Sequence, residues 1–272
     1  MRQETVVAVL DRLGVNAPLP DLGGLRAVYG AWCSSVPFDN VLKLIHVGEG
    51  HSGPLPGSTS DGFFAAWLAV GAGGTCWAGN GALHDLLAAL GFDVARGIAT
   101  MLPSPEIRGP NHGTVIVTID GDHWIADASV LSGAPIRIPA PNEATSEGRL
   151  PRFEWLDGSP AVIWRSLVAP TGFPCRIDRI GAGGGEWNAL HQRTSAWSPF
   201  NFELNARVTR GESSLGLSAG QRFRFDPDGS LSASPLDRGE RIRFLVEELG
   251  ISEEIAERVP DDRPVPPRPE GR

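Results

Sequence analysis

Cysteine is scarce in this chain and lysine nearly missing, and each shortage narrows what the protein can be. Cys33, Cys76 and Cys175 lie far apart, are odd in number and form no Cys-x-x-Cys pair. That excludes a disulfide framework and a zinc ribbon, and fits a reducing compartment. No apolar run approaches the roughly 18 residues needed to cross a bilayer, and Glu4 comes too early for a secretory leader. The expectation is a soluble cytoplasmic protein without a membrane partner. Excess positive charge is lacking too: the net charge of −8 argues against a nucleic-acid partner, while one local basic pocket would still hold an anionic small molecule. A single lysine against 23 arginines reads as the coding bias of a GC-rich genome. There is no internal repeat, and the glycines at 181 to 185 lack the strand–turn–helix spacing of a nucleotide fingerprint.

What the chain does have is length and apolar content. Its 272 residues, 41% hydrophobic, can bury one large core or two to three small ones without a metal or disulfide staple. The first ninety residues read as mainly helical: a short amphipathic helix over 4–14, a second over 22–34, a break at Val36-Pro37-Phe38-Asp39-Asn40, and a third from Gly62 to Val70 capped by Asp61. From Phe92 short β-forming runs separated by Gly, Pro and Asp predict a barrel or strongly curved sheet. From Glu186 helix and strand signals mix. The expected parts are therefore 1–90 helical, 91–185 β, 186–259 α/β, and a proline-rich flexible tail at 260–272.

One stretch combines a reactive side chain with a helix start. Gly73-Gly74-Thr75-Cys76-Trp77 leads into an apolar stripe of Leu83, Leu86, Leu87 and Leu90 that stops at Gly91. Cys76 then sits at the positive end of a helix, where a thiolate is favoured over a thiol. A small buried cysteine beside a glycine turn is the other reading.

A nucleophilic cysteine needs a base, and the base an orienting group. His84 lies eight residues along the helix, about 12 Å of rise, and is out of reach. The run Thr114 to Ile119 and the run Trp124 to Ala126 flank Asp120-Gly121, a hairpin signal. With a two-residue turn, Ile119 pairs with Asp122 and Thr114 faces Asp127. His112 and Asp127 then become diagonal neighbours on one face. A three-residue loop would separate them. His123, beside the turn, is the rival base, and an edge histidine with a strand-ending aspartate is the structural alternative.

With cysteine, histidine and aspartate in this order, the sequence resembles the arylamine N-acetyltransferase family along most of its length. The shared pieces are Val36-Pro37-Phe38-Asp39-Asn40, similar to the family's Pro-Phe-Glu-Asn; Gly73-Gly74-Thr75-Cys76 with Asn80; His112 and its strand; Trp124 to Asp127; and Thr194 to Phe200. The resemblance implies an α+β fold with an N-terminal helical domain, a β-barrel and a C-terminal α/β lid around a papain- or transglutaminase-like core. It implies a Cys76–His112–Asp127 triad, with Phe38, Gly74, Thr75, Trp77 and Ser129 binding substrate. The implied reaction is ping-pong transfer of an acyl group from acetyl-coenzyme A or another thioester to an arylamine, hydrazine or related amine, with no permanently bound cofactor and no metal. Amide synthesis on a natural-product thioester, carried by coenzyme A or an acyl carrier protein, and thiol hydrolysis are the alternatives. Two positions depart from the family pattern: Ala72 replaces an arginine and Ala78 a glutamate. After Asp127 the chain reads Ala128-Ser129-Val130-Leu131 where the family has Val-Gly-Phe-Gly.

Overall fold

The computed structural model describes residues 1–104, 107, 109–141, 143 and 150–269. Helix α1 (Gln3–Leu13) buries Val6, Val9 and Leu13, spaced by three and four, and ends on Gly14. Helix α2 (Leu22–Ser35) is capped by Asp21, whose carboxylate accepts the Gly24 N–H. Beyond Pro37, strand β1 (Phe38–Asp39) leads into α3 (Val41–Gly48), which sequence reading leaves unassigned because it is short and has no side-chain cap. Helix α4 (Ser60–Val70) starts two residues earlier than expected. Its cap is Thr59, whose hydroxyl accepts the Gly62 N–H, and not Asp61. Helix α5 (Cys76–Ala89) packs Leu83, Leu86 and Leu87 against Trp32, Phe63, Phe64 and Trp67, the centre of the first core.

Strands β2 (Asp93–Met101), β3 (His112–Ile119), β4 (Asp122–Ile125), β5 (Ile136–Ile138), β6 (Arg152–Leu156), β7 (Ser159–Ser166) and β8 (Ala169–Ile180) form one antiparallel sheet in the order β5-β4-β3-β2-β8-β7-β6. The outer strands β5 and β6 meet, so the sheet nearly closes into a barrel. Ile119 pairs with Asp122 and Ile116 with Ile125 across Asp120-Gly121, both at positive φ, the two-residue turn that sets the predicted register.

Helix α6 (Gly184–Arg193) starts within the glycine cluster at 181 to 185. Strands β9 (Ala206–Arg210), β10 (Ser213–Ser218), β11 (Gln221–Phe225) and β12 (Leu231–Pro235) follow, then α7 (Arg238–Glu247) and α8 (Glu253–Arg258). The second sheet has the order β1-β9-β10-β11-β12, so a strand from the helical part is its edge: Phe38 pairs with Arg207 and Asp39 with Ala206. A second core joins Val41, Leu44 and Ile45 of α3 to Val208, Leu245 and Leu249. The mixture of helices and antiparallel sheets is the α+β class the sequence predicts.

Residues 260–269, expected to be a flexible tail, are instead tied to this last part. The Arg263 N–H donates to Phe202 O (2.9 Å), Asp262 accepts the Leu204 N–H (2.8 Å), and Arg268 lies over the Trp197 ring. The prolines that deny this segment a helix also hold it extended, which lowers the entropy cost of seating it. Residues 270–272, the rest of that stretch, lie outside the described residues. Among the described residues no helix is long and apolar enough to cross a membrane.

Candidate active site

Cys76 is the first residue of α5, and Thr75 before it is extended. The loop that delivers it is gripped by β1. Asp39 accepts the N–H of Gly73 (2.6 Å) and of Val41 (3.0 Å), and its own N–H donates to Gly74 O (3.2 Å). Gly73 has no alternative, since a Cβ there would lie 1.9 Å from Pro37 O. Burial pushes the Asp39 carboxyl up to about 6 against the pull of its two N–H donors. The first-turn N–H groups of α5 have no intrahelical acceptors, so they present positive potential around Cys76.

His112 opens β3 and Asp127 lies two residues past β4, and the hairpin register places them together. His112 Nε2 is 2.7 Å from Asp127 Oδ2, with both residues buried. Both His112 and Cys76 line one cavity, the Cys76 thiol donates to Asn111 O (3.9 Å), and with Nε2 on Asp127 the ring nitrogen left for sulfur is Nδ1. Burial opposes charge on the ring, but the charge and hydrogen bond of Asp127 outweigh it and raise His112 to about 10. Burial likewise opposes the carboxylate, and His112, together with the Ser129 N–H, lowers Asp127 to about 2. Asp127 thus stabilises the imidazolium that forms when His112 takes a proton.

The other Asp127 oxygen is fully engaged. Oδ1 accepts the N–H of Ser129 (2.8 Å) and Val130 (3.0 Å) and the amide of Asn80 (3.3 Å). Asn80, one turn beyond Cys76, also donates to Gly113 O (2.6 Å) and accepts the Ala128 N–H (2.8 Å), so one side chain binds α5, β3 and the loop after Asp127. Gly113 is fixed by close approach: a Cβ there would lie 2.3 Å from Trp187 and 2.8 Å from Trp77. Sequence reasoning missed Tyr29, whose hydroxyl donates to Asp127 O (2.8 Å), pairs with Ser132 Oγ (2.9 Å) and receives the Asp127 N–H (3.2 Å). Its partners lie some hundred residues away, so no local pattern marks it. The same holds for Thr209, which donates to Leu131 O (2.9 Å).

A cavity of about 710 Å³ opens on Cys76 and His112. Phe38, Trp77 and Ser129, expected to bind substrate, lie on its wall. Gly74 and Thr75 do not: Gly74 packs against Phe63 and Ala78, and Thr75 precedes the helix as its cap residue. Trp164, Phe173, Phe200 and Phe223 make the cavity ring-rich, and Phe200 meets Phe38 edge-on at 5.5 Å. Three lining cations went unnoticed among so many arginines, Arg193, Arg207 and Arg268. The rival histidines are elsewhere, His84 on Asp85 (2.7 Å) and His123 beside Thr118 (3.3 Å). Cys33 and Cys175 are enclosed, and burial pushes the Cys33 thiol up to about 12 and that of Cys175 well above its usual value. Among the described residues no group of three or more His, Cys, Asp or Glu is placed to hold a metal ion.

The family model described as N-acetyltransferase matches residues 21–152. An arylamine N-acetyltransferase from Mycolicibacterium smegmatis is 35% identical over 88 residues, 32% of this chain, and the match spans 30% of that relative. Among solved structures, the arylamine N-acetyltransferase from M. tuberculosis superposes with a TM-score of 0.76 at 19% identity, covering 93% of this chain and 99% of that one. The Mycobacterium marinum enzyme in complex with CoA gives 0.76 at 19% identity over 93% and 98% of the two chains. That from Salmonella typhimurium gives 0.75 at 18% over 95% and 98%.

Proposed function

We propose that the protein is an N-acyltransferase of the arylamine N-acetyltransferase family, a reading supported by the family model over residues 21–152, by the sequence relative and by the fold shared with the solved structures. It moves an acyl group, acetyl in the first instance, from a thioester such as acetyl-coenzyme A to an arylamine, hydrazine or related amine. The observation that carries this reading is the His112–Asp127 hydrogen bond on the wall of the same ring-rich cavity onto which Cys76 opens.

His112 Nδ1 takes the Sγ proton, and Asp127 holds the ring in the tautomer that permits it and stabilises the imidazolium. The thiolate attacks the thioester carbonyl, and first-turn N–H groups of α5 receive the developing oxyanion. The carbon–sulfur bond to the donor breaks, and its thiol leaves with the proton from His112. The amine then attacks acyl-Cys76, His112 takes one amine proton, and the Cys76 sulfur departs and is reprotonated. Phe38, Trp77 and Ser129 shape the space for the acceptor.

Intact-mass measurement after exposure to a panel of acyl thioesters tests the reading. The expected result is one acyl adduct, absent in Cys76→Ala, that disappears on adding 4-methylaniline with the amide as product. An adduct in the Cys76→Ala variant overturns the nucleophile. Decay of the adduct at the same rate with and without amine makes the protein a thiol hydrolase and overturns transfer.

A further inference from the structure

Arg207 is the second residue of β9, with only 9% of its surface exposed. Side chains alternate along the strand: Ala206 and Val208 enter the second core, and Arg207 faces the cavity that holds Cys76. Among the described residues no carboxylate pairs with its guanidinium and no hydrogen bond holds it. Its contact is with the face of Trp164, 4.2 Å from the ring centroid. Burial pulls the group down to about 9, opposed through space by Asp127, which His112 already neutralises. A buried cation without a counter-charge is costly to keep, and a stacking contact alone offsets little of that cost.

Strand pairing fixes its distance from the reaction. Gly74 bridges Phe38, and Phe38 pairs with Arg207, so the arginine backbone is two strand spacings, roughly 10 Å, from the loop that delivers Cys76. A molecule with one aromatic ring and a substituent at each end covers that span. Trp164, Leu217 and Phe223 line the same cavity as Arg207, as does Glu203, which makes no ion pair with it among the described residues.

We infer that Arg207 forms a carboxylate subsite within the acyl-transfer cavity, so that the enzyme selects substrates carrying a carboxylate at the end remote from the reacting atom. The planar guanidinium fork matches a carboxylate with two parallel hydrogen bonds, and the ligand brings the missing charge. The carboxylate belongs either to the amine acceptor or to the transferred acyl group. The inference rests on the acyl-transfer reading of the cavity.

Two measurements separate the inference from that reading. Titration of the resting enzyme, without donor, compares 4-aminobenzoate with 4-aminobenzamide. Turnover compares the same two amines with acetyl-coenzyme A, and Cys76 acylation compares succinyl- with butyryl-coenzyme A. The expected result is a preference for the carboxylate of roughly 10- to 100-fold in at least one comparison, the range for a charge-assisted bond in a buried site. That preference should fall to within twofold in Arg207→Gln and be partly kept in Arg207→Lys. The amine comparisons point to the acceptor as its source and the acyl comparison to the donor. Absence of any carboxylate preference in the unmodified protein overturns the inference, with no variant needed. Carboxylate binding without acylation of Cys76 keeps the subsite and overturns the transferase reading.

Discussion

Replacing Asp127 with asparagine separates what this residue does for the reaction from what it does for the fold. Oδ1 accepts two backbone N–H groups and the Asn80 amide, so the asparagine oxygen must occupy that position and its NH2 must face His112. An NH2 donor opposite Nε2 forces the ring to carry its proton on Nδ1, the nitrogen facing Cys76. The imidazole then cannot take the thiol proton, and the charge that supports the imidazolium is gone. Misdirecting a triad histidine in this way costs on the order of 10⁴-fold, about 5 kcal/mol of transition-state stabilisation. Stability should change little, because the Oδ1 bonds survive and the ring simply stays neutral.

Asp127→Ala should behave differently. It strands the Ser129 and Val130 N–H groups, at about 1–3 kcal/mol each, and a chain of this size should lose several degrees of melting temperature. The assay is the single-turnover rate of Cys76 acylation by acetyl-coenzyme A, read by intact mass, beside thermal denaturation of each variant. An Asp127→Asn protein that folds and acylates within tenfold of the unmodified enzyme refutes the orienting role.

Tyr29→Phe removes a hydroxyl bonded to both Asp127 and Ser132; it should cost about 1–3 kcal/mol, seen as a lower melting temperature, and also lower kcat/KM by loosening the loop that positions Asp127. Iodoacetamide should modify Cys76 at least roughly tenfold faster than Cys33 or Cys175, because burial holds those two thiols protonated; peptide mapping during the time course reads the order. Asp39 titrates at about 6 in the fold, above its unfolded value of about 3.9, so its contribution to stability is fully present below about pH 4 and is lost as pH rises through about 6. Melting temperatures of the Asp39→Asn protein should therefore lack the part of the pH 4 to 6 slope that the unmodified protein shows, and coincident curves would contradict this.

The hairpin was readable because its chemistry is local: Asp120-Gly121 suits a two-residue turn, and a period of two then carries His112 and Asp127 to one face. Helix α5 was readable because its leucines repeat over several turns. Contacts between distant segments left no such trace. Tyr29 meets Asp127 across 98 residues, and Asp39 meets Gly73 across 34. Helix α3 and strands β10 and β12 are too short for a periodic signal, and they form because the second core and neighbouring strands complete them. Arg207 was hidden by abundance, since its role depends on which face of β9 is covered.

The two alanines that flank Cys76 acquire a physical reading from these contacts. Ala72 and Ala78 are both buried, where the family pattern has an arginine and a glutamate. A Cβ on Gly57 or Gly74 would come within 2.6 Å or 2.9 Å of the Ala78 methyl, so no room exists there for a longer acidic side chain. Losing one member of a buried charge pair strands the other, whereas losing both is close to neutral. The acid of β1 differs in the same region: Asp39 is one methylene shorter than the family's glutamate and rests on the N–H groups of Gly73 and Val41, and among the described residues no cation is bonded to it. Neutral donors compensate burial less well than a cation would, and the raised Asp39 value follows. The hold on the Gly73-Gly74 loop, and through it the placement of Cys76, thus depends on a carboxylate that begins to protonate near pH 6. Acylation should weaken on acidification below that point even while the His112–Asp127 pair, whose carboxylate titrates near 2, stays intact.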